Sequence, residues 1–160
     1  MDGEIDMDKV KTILQLKSLK GKKVGLVTGV FDILHFEHVQ FLEFAKKKAD
    51  ILIVGLESDE NVRIFKGKGR PIFKFKERAS VLSALECVDF VFEVPKIKGS
   101  MDSFYGTIIE QIGPDVLFSA IKADSSWKQK KNKAEELGIK LIAYGKKPKI
   151  SSSAILKKCS

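Results

Sequence analysis

Five short, largely unbroken apolar runs, separated by segments with helical spacing, constrain this chain more than any other feature. They are Lys23-Val-Gly-Leu-Val-Thr28, Ile51-Leu-Ile-Val54, Val88 to Phe92, Val116-Leu-Phe118 and Ile139 to Ala143. A strand facing solvent on one side alternates apolar and polar residues, so runs without that alternation fit parallel strands buried on both faces. Helices are predicted between them. Phe36 to Lys48 carries Val39, Phe41, Leu42, Phe44 and Ala45 as an apolar stripe, and Ser58-Asp59-Glu60 reads as the start of a helix through Val62, Ile64 and Phe65. Phe75 to Leu85, Met101 to Ile112 (closed by Gly113-Pro114), Lys128 to Leu137 (closed by Gly138) and Ser151 to Lys157 complete the set. The alternation predicts an α/β fold: a single doubly wound open parallel sheet of about five strands with helices on both faces, and ligands at the carboxyl ends of the strands.

One domain over residues 1–160 is expected, because 160 residues with 44% hydrophobic content can build one substantial core. Residues 1–21 are predicted to form an extra N-terminal helix packed on that domain, with apolar positions between Asp8 and Leu19 and Gly21 as its stop signal. The net charge of +8 suits an anionic partner, either a polyphosphate or nucleic acid. The lysines near 46–48, 128–133 and 146–149 are scattered and read as a solvated surface, and no RNA-binding motif or aromatic platform is present, so nucleic acid is the disfavoured partner. Cys87 and Cys159 form no metal-ligand or disulfide pattern. No apolar run is long enough for a bilayer, and a cytoplasmic protein with no membrane partner is expected.

The two histidines, His35 and His38, lie three residues apart where the first strand hands over to its helix. Side chains at i and i+3 share a helix face, and a helix start offers unpaired amides and the positive end of the dipole. Phosphate chemistry follows. No GxGxxG or GxxxxGK[ST] pattern occurs, so ordinary dinucleotide and P-loop sites lose support. Phe36, Phe41 and Phe44 are read as core stripe, without a ligand role.

Gly29-Val-Phe-Asp-Ile-Leu-His35-Phe-Glu-His38 resembles the GxFDxxHxGH signature of the cytidylyltransferase-like nucleotidyltransferase superfamily. Val54-Gly-Leu-Glu-Ser-Asp-Glu60, Lys66-Gly-Lys-Gly-Arg-Pro71, Glu77-Arg78, Val81 to Asp89 and Ile150-Ser-Ser-Ser153 follow in that family's order. The resemblance covers about Val24 to Leu156, leaves the leading helix outside, and leans toward the heptose phosphate adenylyltransferase branch, with glycerol-3-phosphate cytidylyltransferases close behind. It implies a Rossmann-like nucleotidyltransferase fold and transfer of a nucleotidyl group from ATP or CTP to a phosphorylated sugar or polyol. Pyrophosphate would be released, with Mg²⁺ assisting, and such proteins often form homodimers.

By the same resemblance the catalytic residues are His35, His38, Lys68 and Arg78. The nucleotide is held by Thr28, Gly29, Val30, Phe31, Lys66, Ser151, Ser152 and Ser153, and Arg70 is a weaker phosphate candidate. Two positions depart from the family pattern. Glu37 stands where the signature has glycine, and a carboxylate about 4 Å from a phosphate would cost roughly 1 to 4 kcal/mol of repulsion. Alternatively its side chain points outward, or accepts hydrogen bonds from base or ribose. After Phe118 the family's Gly-Asp-containing loop is missing; Asp124 and Trp127 either replace it or are a surface aspartate and a partly buried tryptophan. These departures motivate the alternative of a catalytically impaired nucleotide-binding protein of the same fold.

Overall fold

A computed structural model describes residues 21–159, together with Asp8, Val10, Thr12 and Gln15 from the leading segment. The elements run β1 (Val24–Gly29), α1 (Phe36–Lys46), β2 (Ile51–Glu57), α2 (Asp59–Lys66), α3 (Phe75–Ser83), β3 (Phe90–Val94), α4 (Met101–Ile112), β4 (Val116–Ser119), α5 (Trp127–Glu136), β5 (Lys140–Ala143) and α6 (Ser152–Cys159). All five strands are parallel, in the order β3-β2-β1-β4-β5. The expected fold class holds.

Period-two alternation divides the strand residues between two cores. Leu26, Ile53 and Leu117 face α4 and α5, where Ile108, Ile109, Ile112 and Ala134 cover them. Val27, Leu52, Val54, Val116 and Phe118 face the opposite way, under Phe41, Leu42 and Ala45 of α1 and Leu82 of α3. Gly25 is where this second layer comes closest to the backbone. A Cβ there would lie 2.6 Å from the Phe118 ring and 2.9 Å from Ala49 Cβ, so only glycine leaves room for that ring against β1.

Strand β1 is tied down at its entry from both sides. Lys23 N–H donates to Asp50 Oδ2 at 2.8 Å, and Val24 N–H donates to Asp115 Oδ2 at 2.7 Å. Because the connections run outward from β1 in opposite directions, a crevice opens between the carboxyl ends of β1 and β4, which is where open α/β sheets bind ligands.

Some expected boundaries move. Strand β2 continues past Val54 to Glu57, and β3 begins two residues later than the Val88 start, because Val88 N–H closes a turn onto Leu85 O. Phe36, placed in the core stripe by its spacing, is 69% exposed at the start of α1, while Phe41 is buried. The leading helix, taken as a whole, lies outside the described residues. The four that are described are helical, and Val10 is buried in the same core cluster as Ile108, Ile109 and Ile112. Among the described residues no helix is long and apolar enough to cross a membrane.

Candidate active site

The loop from β1 to α1 is held in an uncommon conformation by distant residues. Phe31 has φ of +48°, in the left-handed region that side chains seldom adopt, and its ring lies against Gly29, where a Cβ would meet it at 2.7 Å. Next to it, the buried Asp32 carboxylate accepts from Ile72 N–H (2.8 Å), Phe73 N–H (3.0 Å) and Arg70 Nε (2.8 Å). Arg70 Nη2 also donates to the Asp32 carbonyl. Burial alone would push this carboxyl's pKa up, but the amides of Phe73 and Ile72 and the Arg70 guanidinium together hold it below the usual range.

Arg78 braces the same loop from below. It donates to Val30 O (2.8 Å), Glu57 O (2.9 Å), Phe73 O (2.9 Å) and Asp59 Oδ1 (2.8 Å), and it is 3% exposed. Both arginines considered for phosphate are therefore engaged by the protein itself. Arg70 makes one further contact, a 3.4 Å bond to Ser152 Oγ.

His35 is the N-cap of α1 and His38 its third helical residue, and their rings stack with centroids 3.7 Å apart and planes inclined at 26°. His35 N–H donates to His38 Nδ1 at 3.3 Å. That bond requires Nδ1 to be the acceptor, which puts the proton of the neutral ring on Nε2. Burial, reinforced by the neighbouring His35 and Lys66, lowers the His38 pKa from 6.5 to about 4, with Glu37 opposing. The ring is neutral at pH 7. His35 is also lowered by burial, against the pull of Glu37. Among the described residues, Thr28 Oγ1 and His35 Nδ1 are buried without a hydrogen-bond partner. Buried polar atoms are normally paired, so a pair of orphans beside one crevice marks a place for a polar ligand.

Two adjoining compartments open here, of about 200 and about 140 Å³, sharing His38, Phe41, Lys66 and Ser152 in their walls. Thr28, Gly29, Val30, Phe31 and Asp124 line the first. His35, Glu37 and Ser151 line the second. Lys68, Arg78 and Ser153 lie in neither wall; Lys68 and Ser153 are exposed, and Arg78 supports the loop from outside the cavity. Of the three serines, Ser151 caps α6 by accepting from Ala154 N–H at 3.1 Å, and Ser152 faces both compartments.

The first compartment has a polar wall of which sequence reasoning singled out only Asp124. Glu57, at the end of β2, accepts from Tyr105 Oη (2.6 Å) and Asn61 Nδ2 (2.8 Å), and burial pushes its pKa up in spite of those bonds. Lys130 is 3% exposed, with Nζ 5.1 Å from the Tyr105 ring centre and 2.7 Å from Asp124 Oδ2. Asp124 also accepts from Ser119 Oγ (2.8 Å), Ser126 N–H (3.0 Å) and Ser126 Oγ (2.7 Å). Burial would raise its pKa, but Lys130 and the two serine hydroxyls outweigh that and lower it. Asp124 is thus no surface aspartate, and Lys130 is no solvated lysine. The missed signal is Lys130, six residues after Asp124 across a helix start with two intervening serines.

Glu37, in the wall of the second compartment, reaches the chain before α6. Its two oxygens accept from Lys149 N–H at 2.8 Å and Ile150 N–H at 3.0 Å.

The family model described as cytidylyltransferase-like matches residues 26–158, which include every residue of both compartments. The chain belongs to that family. This cytidylyltransferase-like chain is 43% identical over 101 residues to the bifunctional protein HldE of Citrifermentans bemidjiense, covering 61% of the chain and 19% of that protein. It is 33% identical over 154 residues to the HldE protein of Desulfatibacillum aliphaticivorans, covering 92% and 30%. The chain thus spans less than a third of the length of these curated relatives. Among solved structures it resembles the lipopolysaccharide core biosynthesis protein from Thermoplasma volcanium, with TM-score 0.65, 29% identity and coverage of 80% of this chain and 100% of that one. A pantoate-beta-alanine ligase from Francisella tularensis shares the fold at TM-score 0.67 and 16% identity, covering 95% of this chain and 71% of that one.

Proposed function

We propose that the protein transfers a nucleotidyl group from ATP or CTP to a phosphorylated sugar or polyol and releases pyrophosphate. The observation that carries this reading is the stacked His35–His38 pair at the start of α1, beside Thr28 Oγ1 and His35 Nδ1, which have no hydrogen-bond partner among the described residues. An acceptor phosphate oxygen attacks the α-phosphorus, and the bond to the bridging oxygen breaks. Its electron pair leaves with pyrophosphate. Charge on the phosphoryl oxygens needs fixed donors in such a step, more than it needs a covalent nucleophile. His38 Nε2–H is such a donor. It is neutral before and after the step, so it stabilises the transferring group without itself losing a proton.

Lys66, shared by both compartments, supplies positive charge, and Ser151, Ser152 and the α6 N-terminus suit the departing β- and γ-phosphates. The wall containing Glu57, Tyr105 and Asp124 lies toward the α4 and α5 side of the sheet, across the crevice from the histidine helix, and offers acceptors and hydroxyls to a hydroxylated substrate. Among the described residues no group of three or more His, Cys, Asp or Glu side chains could hold a metal. Mg²⁺ brought in with the triphosphate would offset phosphate charge. The relatives named HldE support a sugar phosphate acceptor.

The deciding experiment measures pyrophosphate release with each of four nucleoside triphosphates against a panel of phosphorylated sugars and alcohols. One pairing is expected to turn over, with His35→Ala and His38→Ala both inactive. Nucleotide binding without turnover on any acceptor, and without pyrophosphate exchange, would instead mark the impaired binding protein.

A further inference from the structure

Glu37 occupies the second helical position of α1, between the two histidines, where the signature it resembles carries glycine. Its partners, the amides of Lys149 and Ile150, are the last two before Ser151, the cap of α6. One side chain thereby joins the start of α1 to the start of α6, the two helix ends that converge on the crevice. The segment it holds, Tyr144 to Ile150, forms no helix or strand, yet Tyr144, Lys146, Pro148 and Ile150 line the second compartment. Among the described residues its other hydrogen bonds are Tyr144 N–H to Ser119 O (2.8 Å) at its start and a long Lys146 Nζ to Gln40 Oε1 contact of 3.4 Å. The end nearest the serines depends on Glu37.

We propose that Glu37 is a positioning residue: its carboxylate latches the Tyr144–Ile150 segment over the second compartment, sets the place of Ser151 and Ser152, and so determines nucleotide affinity. The charge fits this role. A carboxylate accepting two amide N–H groups makes charge-assisted bonds, stronger than neutral ones. Those amides hold Glu37 below the usual carboxylate pKa range, so the latch is ionised at neutral pH. Both oxygens accept from the segment, and the two amide dipoles offset part of the repulsion that a glutamate here would exert on an incoming phosphate. The inference rests on the nucleotidyltransferase reading for its ligand, but the latch itself is testable without any ligand.

The test compares wild type with Glu37→Gly and Glu37→Gln. In ligand-free protein, amide hydrogen exchange resolved at Lys149 and Ile150 is expected to accelerate about tenfold in Glu37→Gly, as local opening becomes easier. Titration with ATP and with CTP, each with Mg²⁺, is expected to show affinity for the preferred nucleotide falling about tenfold in Glu37→Gly. Glu37→Gln, which keeps one acceptor oxygen, should fall between. In turnover assays the nucleotide KM rises while kcat and the acceptor KM stay within about threefold, a split that general misfolding would not produce. Unchanged exchange at both amides overturns the latch. Faster exchange with unchanged affinity overturns its role in positioning, and tighter nucleotide binding in Glu37→Gly makes the residue an occluder and also overturns the proposal. Wild-type protein that binds neither nucleotide would sink the nucleotidyltransferase reading, and this inference with it, even with the exchange result intact.

Discussion

Replacing His38 by asparagine separates the two properties given to that ring. Asparagine keeps an acceptor close to the position of Nδ1, so the bond from His35 N–H survives, but it has no donor as far out as Nε2. The folded protein should therefore persist at pH 7.5 while pyrophosphate release falls about 10²- to 10³-fold, the usual cost of one preorganised donor. Acid gives an independent reading. In the unfolded chain His38 takes up a proton as pH drops through 6.5, whereas in the folded chain burial delays this to about pH 4. Stability from this residue is complete above pH 6.5 and is lost as pH falls toward 4, because the unfolded state then binds the extra proton. At pH 4.5 the linkage amounts to about 2.5 kcal/mol. Urea unfolding of wild type and His38→Asn at pH 7.5 and 4.5 should show the wild type losing about that much more than the variant, other titrating groups being common to both. Equal acid sensitivity would refute the buried neutral ring, and turnover within tenfold of wild type would refute the donor.

Arg78→Lys keeps the charge but cannot reach four acceptors, leaving the Val30 and Glu57 carbonyls short of partners; urea unfolding should show a loss of about 3 kcal/mol, and less than 1 would count against the brace. Asp124→Asn leaves the buried Lys130 without its counter-charge and should cost about 3 to 5 kcal/mol, much of it recovered when Lys130→Met is added, as thermal or urea melts would show. Lys66→Ala should raise the nucleotide KM about tenfold, whereas Lys68→Ala, outside both compartments, should change it less than threefold in the same steady-state assay. Equal effects of the two lysines would mean that the Gly67–Gly69 loop folds over the ligand.

Much of the fold was legible because parallel strands announce themselves by burial on both faces, and Gly113-Pro114 and Gly138 punctuate the helices between them. Glu57 was not legible as a strand end, since a carboxylate after an apolar run reads as the start of a loop. The histidine pair was readable because both its members and their helix lie within a few residues of one another. Arg70 and Arg78 show the limit of that approach. A guanidinium suits a phosphate and a backbone carbonyl equally well, and its actual acceptors, Asp32 and Val30, are 38 and 48 residues away. Glu37 is the extreme case, with partners 112 and 113 residues distant. Its charge could be read beside the histidines, but the amides that absorb it could not.

The strand order has a consequence for how the molecule is made. β1 emerges first yet ends in the middle of the sheet, between β2, which begins 27 residues after it, and β4, which begins 92 residues after it. Until residues 116–119 have left the ribosome, one long side of β1 has no strand to pair with, and the ligand crevice lacks its second bank. Nascent chains arrested before that point should be prone to clump and should retain no triphosphate, so a working site has to wait for β4.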